Sequence, residues 1–276
     1  MKKFWIVGHP LSFCLCTPVS NGAFKELAFD AEFETHDVAP DDLHLVMEKI
    51  RSGELAGAVT TMPHKTPALE LLDESTDEAK AINAVNLVLG HSPNGELPYK
   101  LKGYNTDWLG ALGAVKSLIP ELKGKHILVL GAGGAARAAA YAFHKEGANV
   151  SIWNRTSERA KAFAEKMQIT QIPDMRKWDG EPDIIINATS ASYQPSQSTL
   201  VPFPLWKNVQ LAMDAVYGKT SLFLEEANAA KVKHIISGDV WFLNQAAPLL
   251  EIITGKKAPL ELMKKLTDEA VDIIKS

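Results

Sequence analysis

The sequence lacks several features that define whole classes of protein. Its 276 residues contain only 2 cysteines, so the disulfide framework that holds small secreted domains together cannot form. These cysteines, Cys14 and Cys16, have no partnered histidine or cysteine at ligand spacing, and we expect no metal site. No apolar stretch reaches the roughly 18 residues that a membrane-spanning helix needs. The sequence therefore argues against a disulfide-rich protein, against a metalloprotein and against a membrane protein.

Positive charge is not in excess either. Lysine and arginine total 29 against 33 acidic residues, a formal net charge of -4 with histidine neutral, so the chain has no general positive field for nucleic acid or an anionic membrane. The apolar run Phe4-Trp5-Ile6-Val7 is too short for the core of a signal peptide. We expect a cytoplasmic protein, monomeric or homodimeric, whose partner is a small molecule.

Apolar residues make up 46% of the chain, which is enough for one large domain or two modest ones. Short β-rich runs alternate with helical patterns, and this indicates parallel α/β units. In the second half, a helix is predicted over residues 135–145 and strands over residues 126–130, 150–153, 184–186, 211–213 and 234–236. This arrangement is typical of a doubly wound nucleotide-binding domain.

The first half has strands of its own but no glycine-rich fingerprint, so we assign it to the substrate. Its strands are predicted over residues 4–7, 32–36, 57–59 and 85–89, and its helices over 23–29 and 43–52. A helix over residues 107–118 is expected to join the halves, and a helical region over 244–276 to pack back on the first half. The predicted domains are therefore residues 1–105 together with 243–276, for substrate, and residues 106–242, for nucleotide.

A glycine-rich loop follows the first strand of the nucleotide half. Gly131-Ala132-Gly133-Gly134-Ala135-Ala136 fits the fingerprint G-x-G-x-x-G/A between a strand and a helix, where backbone amides and the helix N-terminus can bind a pyrophosphate. Gly131 allows the tight turn, Gly133 lets the phosphate approach the backbone, and Ala136 lets helix and strand pack closely. The alternative is a glycine turn that serves packing alone.

The residues after the next strand indicate which dinucleotide binds. An NAD enzyme places a carboxylate here for the ribose 2′-hydroxyl, but this chain has Asn154-Arg155-Thr156, with Arg159 one turn later. Guanidinium groups favour the 2′-phosphate of NADP through charge-assisted hydrogen bonds. We therefore predict NADP as the cofactor. The alternative is that Thr156 or Ser157 caps a helix whose arginines are merely solvated.

Two segments carry candidate catalytic groups. Val59-Thr60-Thr61-Met62-Pro63-His64-Lys65 leads from a strand through a proline to a helix start, and Asn105-Thr106-Asp107 opens the joining helix. Taken alone, Lys65 is a surface lysine, His64 is ambiguous, and Asp107 is an acid favoured by the dipole of a first helical turn.

Taken together, the motifs resemble the shikimate dehydrogenase family over nearly the whole chain. The resemblance rests on their order and spacing: Pro63-x-Lys65, Asn83-Ala84-Val85-Asn86, Asn105-Thr106-Asp107, the glycine loop followed by Arg137, Asn154-Arg155-Thr156, Asn187-Ala188-Thr189-Ser190 and Asp214-x-x-Tyr217.

The resemblance implies an α/β enzyme of two domains, a substrate domain and a Rossmann-type NADP domain, which interconverts 3-dehydroshikimate and shikimate, or a close analogue such as quinate, in chorismate and aromatic amino acid biosynthesis. Lys65 and Asp107 would be the catalytic pair. The substrate would contact Asn86, Gln245, Thr61 and Tyr217, and the cofactor would contact Thr189 and Gly238 in addition to the glycine loop and the arginine segment.

One loop departs from the family pattern. Where the family has a His-Ser-x-Ser-Pro stretch whose hydroxyls bind the substrate carboxylate, this chain has Phe13-Cys14-Leu15-Cys16-Thr17-Pro18. Aligned without a gap, both serines become Cys14 and Cys16; aligned on the proline, Thr17 replaces the second serine and Leu15 the first. A thiol is a poor donor, so the hold on a carboxylate is altered.

This departure keeps other functions open. The chain could act on a different ring polyol carboxylate, or bind NADP as a regulator without catalysis, although the presence of both Lys65 and Asp107 argues against a regulator. A third hypothesis makes Cys14 or Cys16 a nucleophile for thioester reduction, but neither has an evident local base beyond His9.

Overall fold

The structure is a computed structural model that describes residues 1–92, 94–189, 201–218 and 221–275. The chain divides into two compact units. The first comprises Met1–Thr106 and Gln245–Ala270, and the second comprises Asp107–Asn244 and Val271–Ser276. Each has its own β-sheet. No helix among the described residues has the length and apolarity needed to cross a membrane.

The first unit is built on a mixed sheet with strands in the order β2-β1-β3-β5-β6-β4. β2, β1 and β3 are parallel, whereas β5 runs antiparallel to both β3 and β6. Its elements are β1 (Lys2–Gly8), α1 (Cys16–Glu26), β2 (Ala31–Asp37), α2 (Leu43–Arg51), β3 (Gly57–Thr60), α3 (Pro67–Glu70), β4 (Glu74–Ser75), α4 (Asp77–Ile82), β5 (Leu87–His91) and β6 (Lys100–Tyr104).

An aromatic cluster holds α1 against this sheet. The ring of Phe33 on β2 lies 5.2 Å from that of Phe4 on β1 and 5.5 Å from that of Phe24 on α1, and all three side chains are buried. Such pairs stabilise a core beyond the area that they bury. They fix α1, which begins at Cys16 and follows the loop that contains Cys14.

Two predictions for this unit were wrong in their bounds. The helix expected over residues 23–29 is α1, which begins at Cys16, because Pro18 lies in its first turn, where a proline removes no helical hydrogen bond. The strand expected from Val85 begins at Leu87. The sequence did not predict β6, because its two lysines and one glycine conceal the strand pattern.

The second unit is a parallel sheet with strands in the order β12-β11-β10-β7-β8-β9. This is the doubly wound order, so the predicted fold class is confirmed. Its elements are α5 (Asp107–Lys116), β7 (His126–Leu130), α6 (Gly134–Lys145), β8 (Asn149–Trp153), α7 (Ser157–Met167), β9 (Thr170–Ile172), β10 (Ile184–Asn187), β11 (Leu211–Asp214), α8 (Leu222–Ala229), β12 (His234–Ile236) and α9 (Gly238–Thr254).

The final helical region consists of two helices, α9 and α10 (Leu260–Lys275). Because α9 begins at Gly238, Gln245 lies inside this helix and not at its start, as the sequence had indicated. Within the first unit, α10 packs on α1 so closely that a Cβ on Gly22 would lie 2.3 Å from a methyl carbon of Leu266.

The glycine loop joins β7 to α6 at the point where the strand order reverses. Gly131 has a φ of 111°, and a Cβ there would lie 2.8 Å from the carbonyl oxygen of Ala188, which follows β10. Gly133 has an ordinary φ of -79°. A Cβ on Gly133 would meet no atom of the described residues within 4 Å. The first glycine is therefore required by the fold, and the second is not.

This difference predicts that two substitutions in the same loop have unequal effects on stability. Gly131→Ala should lower the free energy of unfolding by about 1–3 kcal/mol, because alanine is strained at that φ and collides with backbone. Gly133→Ala is the matched control and should leave the thermal midpoint almost unchanged. Equal losses of thermal stability in the two variants, measured by circular dichroism, would contradict this account of the loop.

Candidate active site

Lys65 lies on a short turn that hydrogen bonds fix on both sides. After β3, the amide of Thr61 donates to the carbonyl of Val7 at 2.9 Å, and the amide of His64 donates to the carbonyl of Thr61 at 2.7 Å. The carbonyl of Lys65 accepts from the amide of Val85 at 2.8 Å. The Lys65 side chain is partly buried. A lysine with so firmly held a backbone is better placed for proton transfer than one on a mobile surface.

The side chain of His64 adds a further tether to this turn. It is 0% exposed, and its Nε2 lies 2.8 Å from the carbonyl oxygen of Val38 at the end of β2. Because a carbonyl only accepts, Nε2 carries the proton, and Nδ1 is buried without a hydrogen-bond partner among the residues that the structure describes. Burial lowers the pKa of His64, the hydrogen bond to Val38 opposes this, and the nearby His9 lowers it further. The ring is therefore a neutral structural contact beside Lys65.

Asn86 and the segment before Asp107 are held together by reciprocal hydrogen bonds. Asn86 Nδ2 donates to Thr106 Oγ1 at 2.8 Å, and the amide of Thr106 donates to Asn86 Oδ1 at 2.9 Å. Asn105 Nδ2 donates to the carbonyl of Ala84 at 2.9 Å. These side chains are buried, so the amide of Asn86 has a fixed orientation.

Asp107 is the first residue of the second unit and of α5. It is 0% exposed, and its backbone carbonyl accepts from Trp241 Nε1 at 3.0 Å. A carboxylate buried to this degree needs polar partners, as do catalytic acids and their orienting groups. Its position in the first turn of α5 agrees with the dipole preference that the sequence indicated.

The residues from Cys14 to Thr17, called the cysteine loop below, span the start of α1 and differ in their exposure. Leu15 and Cys16 are buried, whereas Cys14 and Thr17 are partly exposed. Burial, with a smaller effect of Cys14, raises the pKa of the Cys16 thiol to about 12, although the hydrogen bond to Ser20 Oγ at 3.4 Å lowers it. Such a thiol does not ionise at neutral pH and is a poor nucleophile. Thr17 Oγ1 lies 2.5 Å from Thr35 Oγ1.

The ends of β7 and β8 meet at the glycine loop. The amide of Gly131 donates to the carbonyl of Trp153 at 2.7 Å, so Asn154, the residue after Trp153, lies beside the start of the glycine loop. Asn154 Nδ2 donates to the carbonyl of Thr156 at 2.8 Å and closes a turn that leaves Arg155 and Thr156 exposed. The structure therefore brings Arg155 to the same edge of the sheet as the glycine loop.

Thr156 occupies the N-cap position of α7, but its side chain makes no cap hydrogen bond. The hydroxyl of Ser157 instead accepts from Gln171 Nε2 at 2.8 Å. The simple capping interpretation of this segment is thus not supported. Arg159, two residues further into α7, is exposed.

A buried polar network, which the sequence did not predict, underlies the same edge. The Asp214 carboxylate accepts from Asn187 Nδ2 at 3.1 Å, from Ser221 Oγ at 2.5 Å and from the amide of Val216 at 3.1 Å. Asn187 Oδ1 accepts from the hydroxyl of Thr189 at 2.8 Å. The sequence signal was that Asn187 and Asp214 each directly follow a predicted apolar strand, but it did not show that the two strands are neighbours.

The remaining predicted residues lie along the chain after this network. The amide of Gly238 donates to the carbonyl of Val216 at 3.1 Å, and the ring of Tyr217 lies 6.4 Å from that of Phe242. Gln245 is partly buried in α9. Ser190, the last residue of the Asn187 motif, lies outside the described residues.

The residues of the second unit fit an NADP molecule. The loop from Asn154 to Thr156 contains no carboxylate that would repel a 2′-phosphate. Gly133 leaves space for a phosphate to approach the backbone, because a Cβ there would meet no atom within 4 Å in the part of the chain that the structure describes. Arginines and open amides are the donor set that a phosphorylated dinucleotide requires.

Comparison with known proteins agrees with this geometry. A model of the shikimate dehydrogenase substrate binding domain matches residues 6–88, and the shikimate / quinate 5-dehydrogenase model matches residues 114–198. The curated shikimate dehydrogenase (NADP(+)) of Aquifex aeolicus strain VF5 is 33% identical over 264 residues, which cover 96% of this chain and 95% of the relative.

Two solved structures are also similar to this chain along nearly its whole length. Shikimate 5-dehydrogenase of Thermus thermophilus, in complex with NADP(H) and shikimate, aligns with a TM-score of 0.84 at 32% identity over 98% of this chain and 100% of its own. The ligand-free 5-ketofructose reductase of Gluconobacter sp. strain CHM43 aligns with a TM-score of 0.80 at 26% identity over 98% of each chain.

The lowered pKa of His64 predicts a pH-dependent contribution to stability. Its pKa in the folded protein lies below the ordinary 6.5, so below that pH the unfolded chain binds the proton more readily. His64 therefore makes no titration-dependent contribution to the free energy of unfolding well above pH 6.5. It lowers that free energy as the pH falls below this value. His64→Gln keeps an amide donor for Val38 but does not titrate, so it should lose less stability than wild type between about pH 7 and 5. Parallel curves of thermal midpoint against pH for the two proteins would contradict a neutral, buried His64.

Proposed function

Because the chain belongs to the shikimate dehydrogenase family, we propose that it interconverts 3-dehydroshikimate and shikimate, with NADP as the hydride carrier. The observation that carries this proposal is the turn of Lys65. Hydrogen bonds hold this turn before and after the lysine. The chain also contains Asp107 and the segment Asn154-Arg155-Thr156, which suits a phosphorylated dinucleotide. Relatives that bear this activity in their names align with nearly the whole chain.

In this proposal Lys65 moves the proton at the reacting oxygen. When the ketone is reduced, an ammonium group at Nζ donates a hydrogen bond to the ketone oxygen and passes it a proton as the alcohol forms; when the alcohol is oxidised, the neutral amine at Nζ accepts that proton. The fixed backbone on each side of Lys65 limits the freedom of its side chain. Less conformational entropy is then lost when Nζ is positioned for the reaction.

Asp107 is assigned the complementary role. A buried carboxylate only accepts hydrogen bonds, so it suits a ring hydroxyl or an ammonium and disfavours a second anion. It would bind the ring hydroxyls of the substrate. Asn86, Thr61, Tyr217 and Gln245 are assigned to the other polar groups of the ring.

The second unit is assigned to the cofactor. NADP, when bound, supplies the hydride acceptor or donor. Backbone amides of the glycine loop, at Gly131, Ala132, Gly133, Gly134 and Ala135, would hold its pyrophosphate. The 2′-phosphate would lie against Asn154, Arg155, Thr156 and Arg159, and Thr189 and Gly238 would border the nicotinamide end.

A second candidate is the same reaction class on a different polyol ketone. The observation that favours it is the cysteine loop, where the thiol of Cys14 and the hydroxyl of Thr17 are the partly exposed polar groups and Cys16 is buried. The likeness to a 5-ketofructose reductase shows that this fold also accompanies reduction of a ketose. We propose this substrate class as the alternative to shikimate.

The proposal is tested by turnover with a matched lysine control. Purified protein with NADP and shikimate should produce the absorbance of reduced nicotinamide, and Lys65→Ala should lower kcat by roughly 10²–10⁴-fold through loss of proton transfer. Lys80→Ala removes an exposed lysine of the same unit and should have no effect. Reduction of 5-ketofructose with NADPH, without turnover of shikimate or quinate, would favour the second candidate. Equal activity of Lys65→Ala and wild type would reject the role of Lys65.

Cofactor choice has a test of its own. Arg155→Gln should weaken NADP by roughly 10–100-fold, because a charge-assisted pair with the 2′-phosphate is lost, and should weaken NAD much less. Arg176→Gln, which removes another exposed arginine of the second unit, is the control. The dissociation constants can be measured by calorimetry. Equal weakening of NADP and NAD in Arg155→Gln would show that this side chain does not contact the 2′-phosphate.

A further inference from the structure

Arg137 is an arginine of α6 that neither the glycine fingerprint nor the segment after β8 assigns to the cofactor. It lies in the first turns of the helix, where its amide donates to the carbonyl of Gly133 at 3.0 Å. Its side chain is partly buried, unlike the exposed Arg155 and Arg159. The guanidinium carbon lies 5.7 Å from the ring centroid of Phe163 on α7, so the side chain reaches across from α6 to α7.

Phe163 determines where this guanidinium group lies relative to the other arginines. Residues spaced by four lie on the same face of a helix, so Arg159 is one turn from Phe163 on the face that Arg137 approaches. The ring of Phe163 is 4% exposed and offers Arg137 a fixed surface. A cation within about 6 Å of the centroid of an aromatic ring is attracted to the face of that ring. Arg137 is therefore held close to Arg159.

The electrostatics agree with this closeness. Burial, and after it the charge of Arg159, lowers the pKa of Arg137. Positive groups that lie close together favour the binding of an anion beside them. A dianion is the ligand that such an arrangement favours.

The sheet places the same group beside the cofactor loop. Leu130 and Trp153 are paired neighbours on β7 and β8, and the glycine loop and Asn154 follow directly after them. Arg137 follows the glycine loop, and Arg155 follows Asn154. Both segments therefore start from one edge of the sheet, at the position where the adenosine end of a dinucleotide lies in a doubly wound fold.

We infer that Arg137 is a further cationic contact of the 2′-phosphate of NADP, held in place by Phe163, and that it contributes to the preference for NADP over NAD. The inference rests on the proposed NADP-dependent function. It differs from two simpler roles for Arg137, a contact with the pyrophosphate and a structural link between α6 and α7.

Two fragments of the cofactor separate these roles. Adenosine 2′,5′-bisphosphate carries the 2′-phosphate, and ADP carries a diphosphate without it. Arg137→Gln should weaken adenosine 2′,5′-bisphosphate roughly tenfold and leave ADP within about twofold, as measured by calorimetry. Arg137→Lys, which keeps a cation but not the planar guanidinium group, should lie between wild type and Arg137→Gln.

Lys145 provides a matched control on the same helix. Its ammonium group lies 4.8 Å from the ring centroid of Trp108 on α5, so Lys145→Gln also removes a cation of α6 from an aromatic ring, at the end of the helix far from the glycine loop. It should bind both fragments as wild type does. Thermal midpoints of the three variants show whether any loss of binding comes from unfolding.

Each outcome decides the matter. Equal weakening of both fragments by Arg137→Gln would assign the side chain to the pyrophosphate, and unchanged binding of both would leave only the structural link; either result overturns the inference. If Arg137→Gln does not fold, an unchanged ratio of the two dissociation constants in Arg137→Lys overturns it. If wild type itself binds the two fragments equally, the NADP dependence fails, and the inference fails with it. A wild-type preference that survives in Arg137→Gln overturns the role of Arg137 alone.

Discussion

The parallel pairing of β7 with both β8 and β10 is the constraint on which the nucleotide unit depends. Leu130 is the register partner of Trp153 on one side and of Asn187 on the other, so three chain segments leave the sheet at one edge. The glycine loop, the arginine segment and the Asn187 motif are those segments. The shared register brings the hydrogen-bond donors of these segments to one place.

The first unit follows the same logic with a different sheet. The ends of β1, β2 and β3 supply backbone carbonyls and amides that hold the turn of Lys65, and His64 adds its imidazole to that set. A neutral histidine serves here because a charged ring would be costly at 0% exposure. The result is a lysine whose backbone is fixed while its side chain stays partly exposed. This combination suits a group that must reach a substrate repeatedly in the same geometry.

Much of this fold could be predicted from the sequence, and the exceptions have physical causes. A nearly continuous apolar run gave β7 its observed bounds, because a strand covered on both faces has a simple pattern. β6 was missed because two lysines and a glycine, which are uncommon in strands, conceal the pattern of so short a segment. The glycine loop could be found by motif, whereas the contacts of Asp214 could not, because they depend on the pairing of β10 with β11. The burial of Cys16 likewise depends on where α1 begins, and no local pattern reports it.

The central claim of this account is that a hydride passes between a ring carbinol and NADP. The most direct measurement uses shikimate that carries deuterium on the carbinol carbon and examines the recovered nicotinamide cofactor by mass spectrometry. The account predicts that the deuterium appears in the reduced NADP formed by the wild-type protein. Oxidation of the labelled substrate with no deuterium in the cofactor, or binding of NADP with no transfer from any carbinol offered, would contradict it.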